Sequence, residues 1–196
     1  MCDSPEPPSD SLSFALSVLA GDPCIQIGLE IYAACKDITF NNSDSSGASS
    51  LDLTLLSTWL CDGALFFTLI KTESTTLLYS HTNRVLYYAT PQAQLSGACP
   101  IHTAVLCQFT VDSLAEGPTP RLLAFDVLRP RGTDPVERGE ALRALAPHLP
   151  APLCCVQWVG PRQYLTEQFV AGLPHRTAGG MVLTPDSHVL VRLLSI

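Results

Sequence analysis

Lysine is scarce in this chain: Lys36 and Lys71 are the only two in 196 residues. Lys+Arg total 11 against Asp+Glu 18, a net charge of −7. Binding of long nucleic acid without sequence preference needs clustered Lys and Arg to neutralise phosphates, so this charge balance argues against it. No apolar run reaches the ~18 residues of a membrane-spanning helix. The opening Met1-Cys2-Asp3-Ser4-Pro5-Glu6 is acidic and lacks the basic start of a secretory signal. No Cys-x-x-Cys pair occurs, so a zinc site has little support. His81, His102, His148, His175 and His188 show no i, i+4 pairing for a metal. There is no Gly-x-Ser-x-Gly elbow, no Walker loop and no Gly-x-Gly-x-x-Gly. No cofactor is implied.

What is present suits a packed core. The chain is 46% hydrophobic and 15% charged, too little charge for a disordered protein. Most of the eight cysteines have apolar neighbours, where a thiol behaves as a small core residue. Reduced, buried thiols imply an intracellular protein, cytoplasmic and/or nuclear.

Residues 1–10 read as a flexible, acidic, Pro-rich tail, and 11–196 as a single α+β domain. A short helix is expected from Asp10 or Ser11 through Leu19, ending at Gly21. Residues 25–31 alternate as a half-buried strand, and 41–47 form a polar loop. Leu53, Leu55, Leu56 and Leu60 suggest a helix over 52–60.

From Asp62-Gly63 onward the pattern turns to β. Strands are expected over 64–70, 75–80 and 84–88 as an antiparallel meander, then over 103–111 and 121–128. Glu116 to Pro120 reads as a turn cluster. Pro135 opens a helix that reaches Pro147. A strand over 153–159 follows, then a helix through Phe169 capped at Arg162-Gln163, and a closing hairpin of 180–183 with 189–194.

The order of these segments resembles the nucleotidyltransferase domain of messenger-RNA capping guanylyltransferases and polynucleotide ligases. Snurportin's cap-binding domain is a non-catalytic relative of that fold. Leu60-Cys61-Asp62-Gly63 stands where the family has Lys-x-Asp-Gly. Thr103 to Gln108 is similar to the strand ending in Asp-Gly-Glu, and Leu122 to Val127 to the apolar strand that carries a terminal Asp, here Asp126. Arg138 and Arg143 lie in the helix that follows. Gly179-Gly180-Met181-Val182-Leu183-Thr184-Pro185 is similar to Asp-Gly-Leu-Ile-Phe-Thr-Pro. The resemblance runs from about Ser50 to the C-terminus.

It implies a fold of mostly antiparallel sheets with inserted helices. It also implies a lost chemistry. The family's nucleophile is the motif Lys, whose amine attacks the α-phosphate; Leu60 replaces it. Leu65 replaces the Arg that follows, Gln108 the metal-holding Glu, and Gly179 the late acid. The family's final Lys-x-Lys motif and OB domain have no counterpart in these residues. No catalytic residue and no metal ligand is therefore expected.

Candidate nucleotide- or cap-binding residues are Trp59, Asp62, Arg84, Arg129, Arg131 and Trp158. Aromatic planes stack on bases and methylated caps, and Tyr87 and Tyr88 share that chemistry. Arg129 and Arg131 precede a helix N-terminus, a phosphate-binding geometry. Each has a plainer role as well: core packing for the aromatics, a solvated loop for the arginines, a φ > 0 turn for Asp62-Gly63. The leading expectation is an inactive nucleotidyltransferase-like binding or scaffold domain. Its net charge favours a protein partner, with a nucleotide or RNA end as a further ligand. The alternatives are a snurportin-like binder of methylated cap and a cysteine enzyme with His102 or His175 as base.

Overall fold

A computed structural model describes residues 11–24, 40–41, 56–129, 135–183 and 190–193. The expected tail at 1–10, the strand at 25–31, the loop at 41–47 except Asn41, and Arg131 lie outside the described residues.

The described residues form two open sheets. The elements in order are α1 (Ser11–Leu19), β1 (Ala20–Pro23), β2 (Phe40–Asn41), β3 (Leu56–Cys61), β4 (Leu65–Lys71), β5 (Thr76–Ser80), β6 (Val85–Ala89), β7 (Ala104–Leu114), β8 (Gly117–Arg129), α2 (Pro135–Leu145), β9 (Cys154–Val156), β10 (Gly160–Pro161), α3 (Glu167–Ala171), β11 (Thr177–Leu183) and β12 (Leu190–Leu193). The larger sheet has the order β1-β6-β5-β4-β7-β8-β9, and the smaller β10-β3-β11-β12-β2. All ladders are antiparallel except β8–β9 and β12–β2. The architecture is α+β and mostly strand, as the alternating patterns predict. No helix among the described residues is long and apolar enough to cross a membrane.

Period-two alternation gives the larger sheet two buried faces. One face carries Phe67, Leu69, Val105, Cys107, Phe109, Leu122 and Ala124, packed with Ala15 and Leu19 of α1 and Leu142 and Leu145 of α2. Ala15 and Leu19 are one helical turn apart, so α1 presents them together. The other face carries Phe66, Ile70, Leu106 and Phe125, packed with Leu56, Leu60 and Met181 of the smaller sheet. We call these the helix face and the inter-sheet face. A third cluster joins Trp59, Cys61, Leu123 and Leu165, with Trp158 and Val170 against it.

Several expectations are corrected. Residues 56–60 are strand, not the end of a helix. The leucine spacing fits a helical stripe, but β3 lies between β10 and β11, where its Ser57, Thr58 and Trp59 are all buried. Residues 117–120 are strand as well, paired with β7 through Pro118↔Ser113 and Pro120↔Val111. Leu122 donates its N–H away from β7, to Leu153 O. By parity Pro118 and Pro120 turn their missing N–H to that same side, where no described strand pairs before Leu122. The strand expected over 153–159 shortens to β9, after which the chain crosses to the smaller sheet as β10. Thr166, not Arg162-Gln163, caps α3: its Oγ1 accepts from Phe169 N at 3.2 Å.

Candidate functional site

The Asp62-Gly63 turn carries the chain from the smaller sheet to the larger. Gly63 has φ 63°, the left-handed region where a Cβ is strained. Ala64 N–H closes the turn on Cys61 O at 3.2 Å, and Asp62 N–H donates to Arg176 O at 3.0 Å. Both turn residues are exposed. They join β3, bearing Leu60, to β4.

Behind this turn lies a buried amide pair. Gln108 and Gln157 are 0% and 2% exposed. Gln108 Oε1 accepts from Cys61 N at 3.0 Å. Gln108 Nε2 donates to Trp59 O at 3.0 Å and to Gln157 Oε1 at 2.6 Å. Gln157 Nε2 donates to the same Trp59 O at 2.7 Å. Two side chains tied to the larger sheet thus clamp the backbone of β3 in the smaller one. The chemistry needs an amide at position 108, because the group both donates and accepts there; an ionised carboxylate only accepts.

Beyond Gln108 the same face of β7 carries Thr110 and Asp112. Asp112 Oδ1 lies 2.8 Å from His175 Nδ1, and its Oδ2 accepts from Arg121 Nε at 3.2 Å. Arg121 also donates to Pro152 O. The other imidazole nitrogen, Nε2, lies 2.8 Å from Trp59 Nε1. Asp112 and His175 pair as an orienting acid and a base do in hydrolases. The Nε2 lone pair that would take a nucleophile's proton is already engaged by the indole.

Four of the described thiols are held in the protonated form that is a poor nucleophile. Burial pushes the Cys61 thiol up to about 12, the neighbouring Thr110 and Trp59 side chains work against it, and the Asp112 charge raises it further. Burial also raises the Cys99, Cys107 and Cys155 thiols.

Asp126 and Arg138 are both 3% exposed and form a buried ion pair, Oδ1 to Nε 2.9 Å. Asp126 Oδ1 also accepts from Val127 N at 2.8 Å. The pair fastens α2 to β8. Among the described residues no cluster of three or more His, Cys, Asp or Glu side chains is arranged to hold a metal ion.

The candidate binding residues separate into groups. Trp59 and Trp158 come together: Phe169 of α3 sits 5.6 Å from the Trp59 ring and 5.4 Å from the Trp158 ring, centroid to centroid. His175 stacks on Trp59 at 6.0 Å. Trp158 in turn lies over Gly160; a Cβ there would stand 2.9 Å from Trp158 Cε2 and closer still to Cζ2. Arg84 is exposed in the β5–β6 turn with φ 57°. That turn meets the start of β4 through His81 N to Phe66 O, so Arg84 shares an end of the larger sheet with Asp62. The backbone of Arg129 pairs with Ala104, which pairs with Ile70, so it belongs to the opposite end. Tyr87 is half-buried and Tyr88 is 43% exposed on β6.

Sequence reasoning passed over Asp112 and Gln157 and named His175 only as a candidate base. The available signal was Gln108, Thr110 and Asp112 at period two within an apolar strand. Compared by sequence, the chain matches no protein-family model and no curated protein.

Proposed function

We propose that this is a non-catalytic, nucleotidyltransferase-like domain that works by binding. Its main partner is a protein, and a nucleotide or RNA end is a secondary ligand. The observation that carries this reading is the placement of Leu60 and Lys71. Leu60 stands at the position of the family's nucleophilic lysine and packs at the inter-sheet face. Lys71 is the only lysine among the described residues. It continues the parity of Phe67 and Leu69, which places it on the helix face. The amine is therefore on the wrong side of the larger sheet to replace the missing one.

Two further positions support the reading. Gln108, in place of a metal-holding Glu, is committed to backbone and amide bonds. Asp126 is committed to Arg138 and Val127 N. For the partner, the net charge of −7 disfavours long nucleic acid, and Tyr164 and Phe169 leave apolar surface 59% and 37% exposed around α3. Cap stacking on Trp59 ranks lower, because His175 and Phe169 already lie against its ring.

The test is incubation with α-labelled GTP or ATP and magnesium, followed by denaturing electrophoresis. No covalent adduct should form; an acid-labile adduct would overturn the proposal. Thermal-shift titration with GTP, ATP and methylated cap analogues then separates a nucleotide-binding cleft from a vestigial one.

A further inference from the structure

His175 stands between two partners that favour opposite charge states of its ring. The side chain is 3% exposed. Trp59 Nε1–H donates to its Nε2 at 2.8 Å, and its Nδ1 lies 2.8 Å from Asp112 Oδ1. An indole offers no acceptor, so the first bond exists only while Nε2 keeps its lone pair. The Asp112 carboxylate favours the imidazolium instead. Once Nε2 takes a proton from solvent, two N–H donors face each other at hydrogen-bond distance, while the bond to Asp112 becomes charge-assisted on both sides.

Which of the two gives way follows from how each is anchored. The backbone on both sides of His175 is pinned, by Ser113 N–H to Pro174 O at 2.7 Å and Asp62 N–H to Arg176 O at 3.0 Å. The Trp59 carbonyl is held by Gln108 and Gln157. The indole must therefore turn about its own side-chain bonds, and the ring it packs on besides His175 is Phe169, 5.6 Å away. Phe169 belongs to α3, which buries no residue. The described backbone bonds of residues 167–173 stay within residues 164–173, so side chains alone join α3 to the strands.

Other titratable groups nearby do not compete for Nε2. Arg121 of β8 is engaged by Asp112 Oδ2 and Pro152 O. Burial keeps Cys61 of β3 protonated. Cys155 of β9, Glu167 of α3 and Arg176 beside the ring are exposed. Among the described residues the ring's hydrogen bonds are those to Trp59 and Asp112.

We infer that His175 is a pH switch: neutral, it holds the Trp59 indole in place under α3; protonated, it displaces the indole and releases α3, uncovering the Trp59 and Trp158 rings that Phe169 packs on. Acid thus presents an aromatic surface that neutral pH keeps closed. The switch does not rest on the nucleotidyltransferase reading, since His175, Asp112 and Phe169 lie outside the motifs that carry it.

The experiment is an NMR titration of the full chain from about pH 8 to about pH 5, the range in which histidine changes charge. It follows the His175 ring, the Trp59 indole N–H and the ring-to-ring cross-peaks of Phe169 with both tryptophans. The Phe66–Phe125 cross-peaks, from rings 6.1 Å apart in the inter-sheet core, report intact packing. In the parent, protonation of His175 should shift the indole N–H and weaken the Phe169 cross-peaks with one shared midpoint, while Phe66–Phe125 stays unchanged. Asp112→Asn should move that midpoint to lower pH and Trp59→Phe should move the ring's midpoint to higher pH, each by about half a unit or more. In Trp59→Phe the Phe169–Trp158 cross-peaks should no longer respond to pH. A ring that titrates without disturbing the Phe169 cross-peaks overturns the proposal, as does one that stays neutral until Phe66–Phe125 is lost. Midpoints unmoved by either substitution also overturn it, and the parent titration decides alone if a variant does not fold.

Discussion

Trp59 Nε1 donates to His175 Nε2 at 2.8 Å, and this one bond fixes the imidazole tautomer. Indole is only a donor, so Nε2 must accept and Nδ1 must carry the proton. Nδ1–H then donates to Asp112 Oδ1 at 2.8 Å. The relay runs from the aromatic cluster to a carboxylate that Arg121 also holds. It is a structural relay, with its basic end occupied.

Trp59→Phe keeps most of the ring packing and removes the donor. The buried Nε2 is then left without a partner, a loss of about 1–3 kcal/mol. Urea unfolding of Trp59→Phe, His175→Gln and the double variant checks this. The two losses should be strongly non-additive; additive losses would mean that the contact carries no coupling.

Gln108→Glu tests the amide clamp. At neutral pH it puts a carboxylate against Trp59 O and Gln157 Oε1 and loses both donated bonds, at a cost of about 3 kcal/mol or more. A carboxyl in this dry, acceptor-rich place favours its protonated form, so its folded-state pKa rises above the unfolded value. The variant's deficit should therefore shrink from pH 7.5 to pH 5. A deficit equal at both pH values would show that the carboxylate had escaped to water.

His81 supplies a pH dependence in the native protein. Burial lowers its pKa from 6.5 to about 4, with Nε2 2.8 Å from Thr68 Oγ1. The folded state disfavours the protonated ring, so the unfolded chain binds more protons between those values. Stability should be full above pH 6.5 and fall as pH drops toward 4, by on the order of 3 kcal/mol at most. The slope of stability against pH in that window should flatten in His81→Gln. An unchanged slope would assign it to the carboxylates instead.

Gly160→Ala should destabilise by about 1–3 kcal/mol, because the added Cβ overlaps the Trp158 ring. Most of the loss should disappear when the same change is made in a Trp158→Ala background. Calorimetry of the four proteins reads the effect directly.

The sequence made the β-meander legible because Ala64 to Tyr88 alternates or runs apolar between Asp-Gly and Asn-containing turns, local signals that decide strand and hairpin. It misread 56–60 because Leu56 and Leu60 suit a helix or a strand equally. What decided between them was non-local: β11 pairs Trp59 with Gly180, 121 residues further along the chain. The amide clamp was hidden for the same reason. Gln108 and Gln157 are separated by 49 residues, and no pattern within either strand says that they meet. Asp126 and Arg138 lie only 12 residues apart at a strand-to-helix crossing, so both could be singled out in advance, though not their pairing.

Pro118 and Pro120 set a limit on self-association. An incoming strand that sought to extend the larger sheet beside the first residues of β8 would meet two carbonyl-only positions in succession, with no N–H to bind. Growth of a shared sheet from that margin would leave its own acceptors unanswered at every second residue. Replacing both prolines with valine would restore a continuous row of donors there. Dilute solutions of that variant should form edge-paired oligomers that the parent chain does not, a difference that light scattering can follow over time.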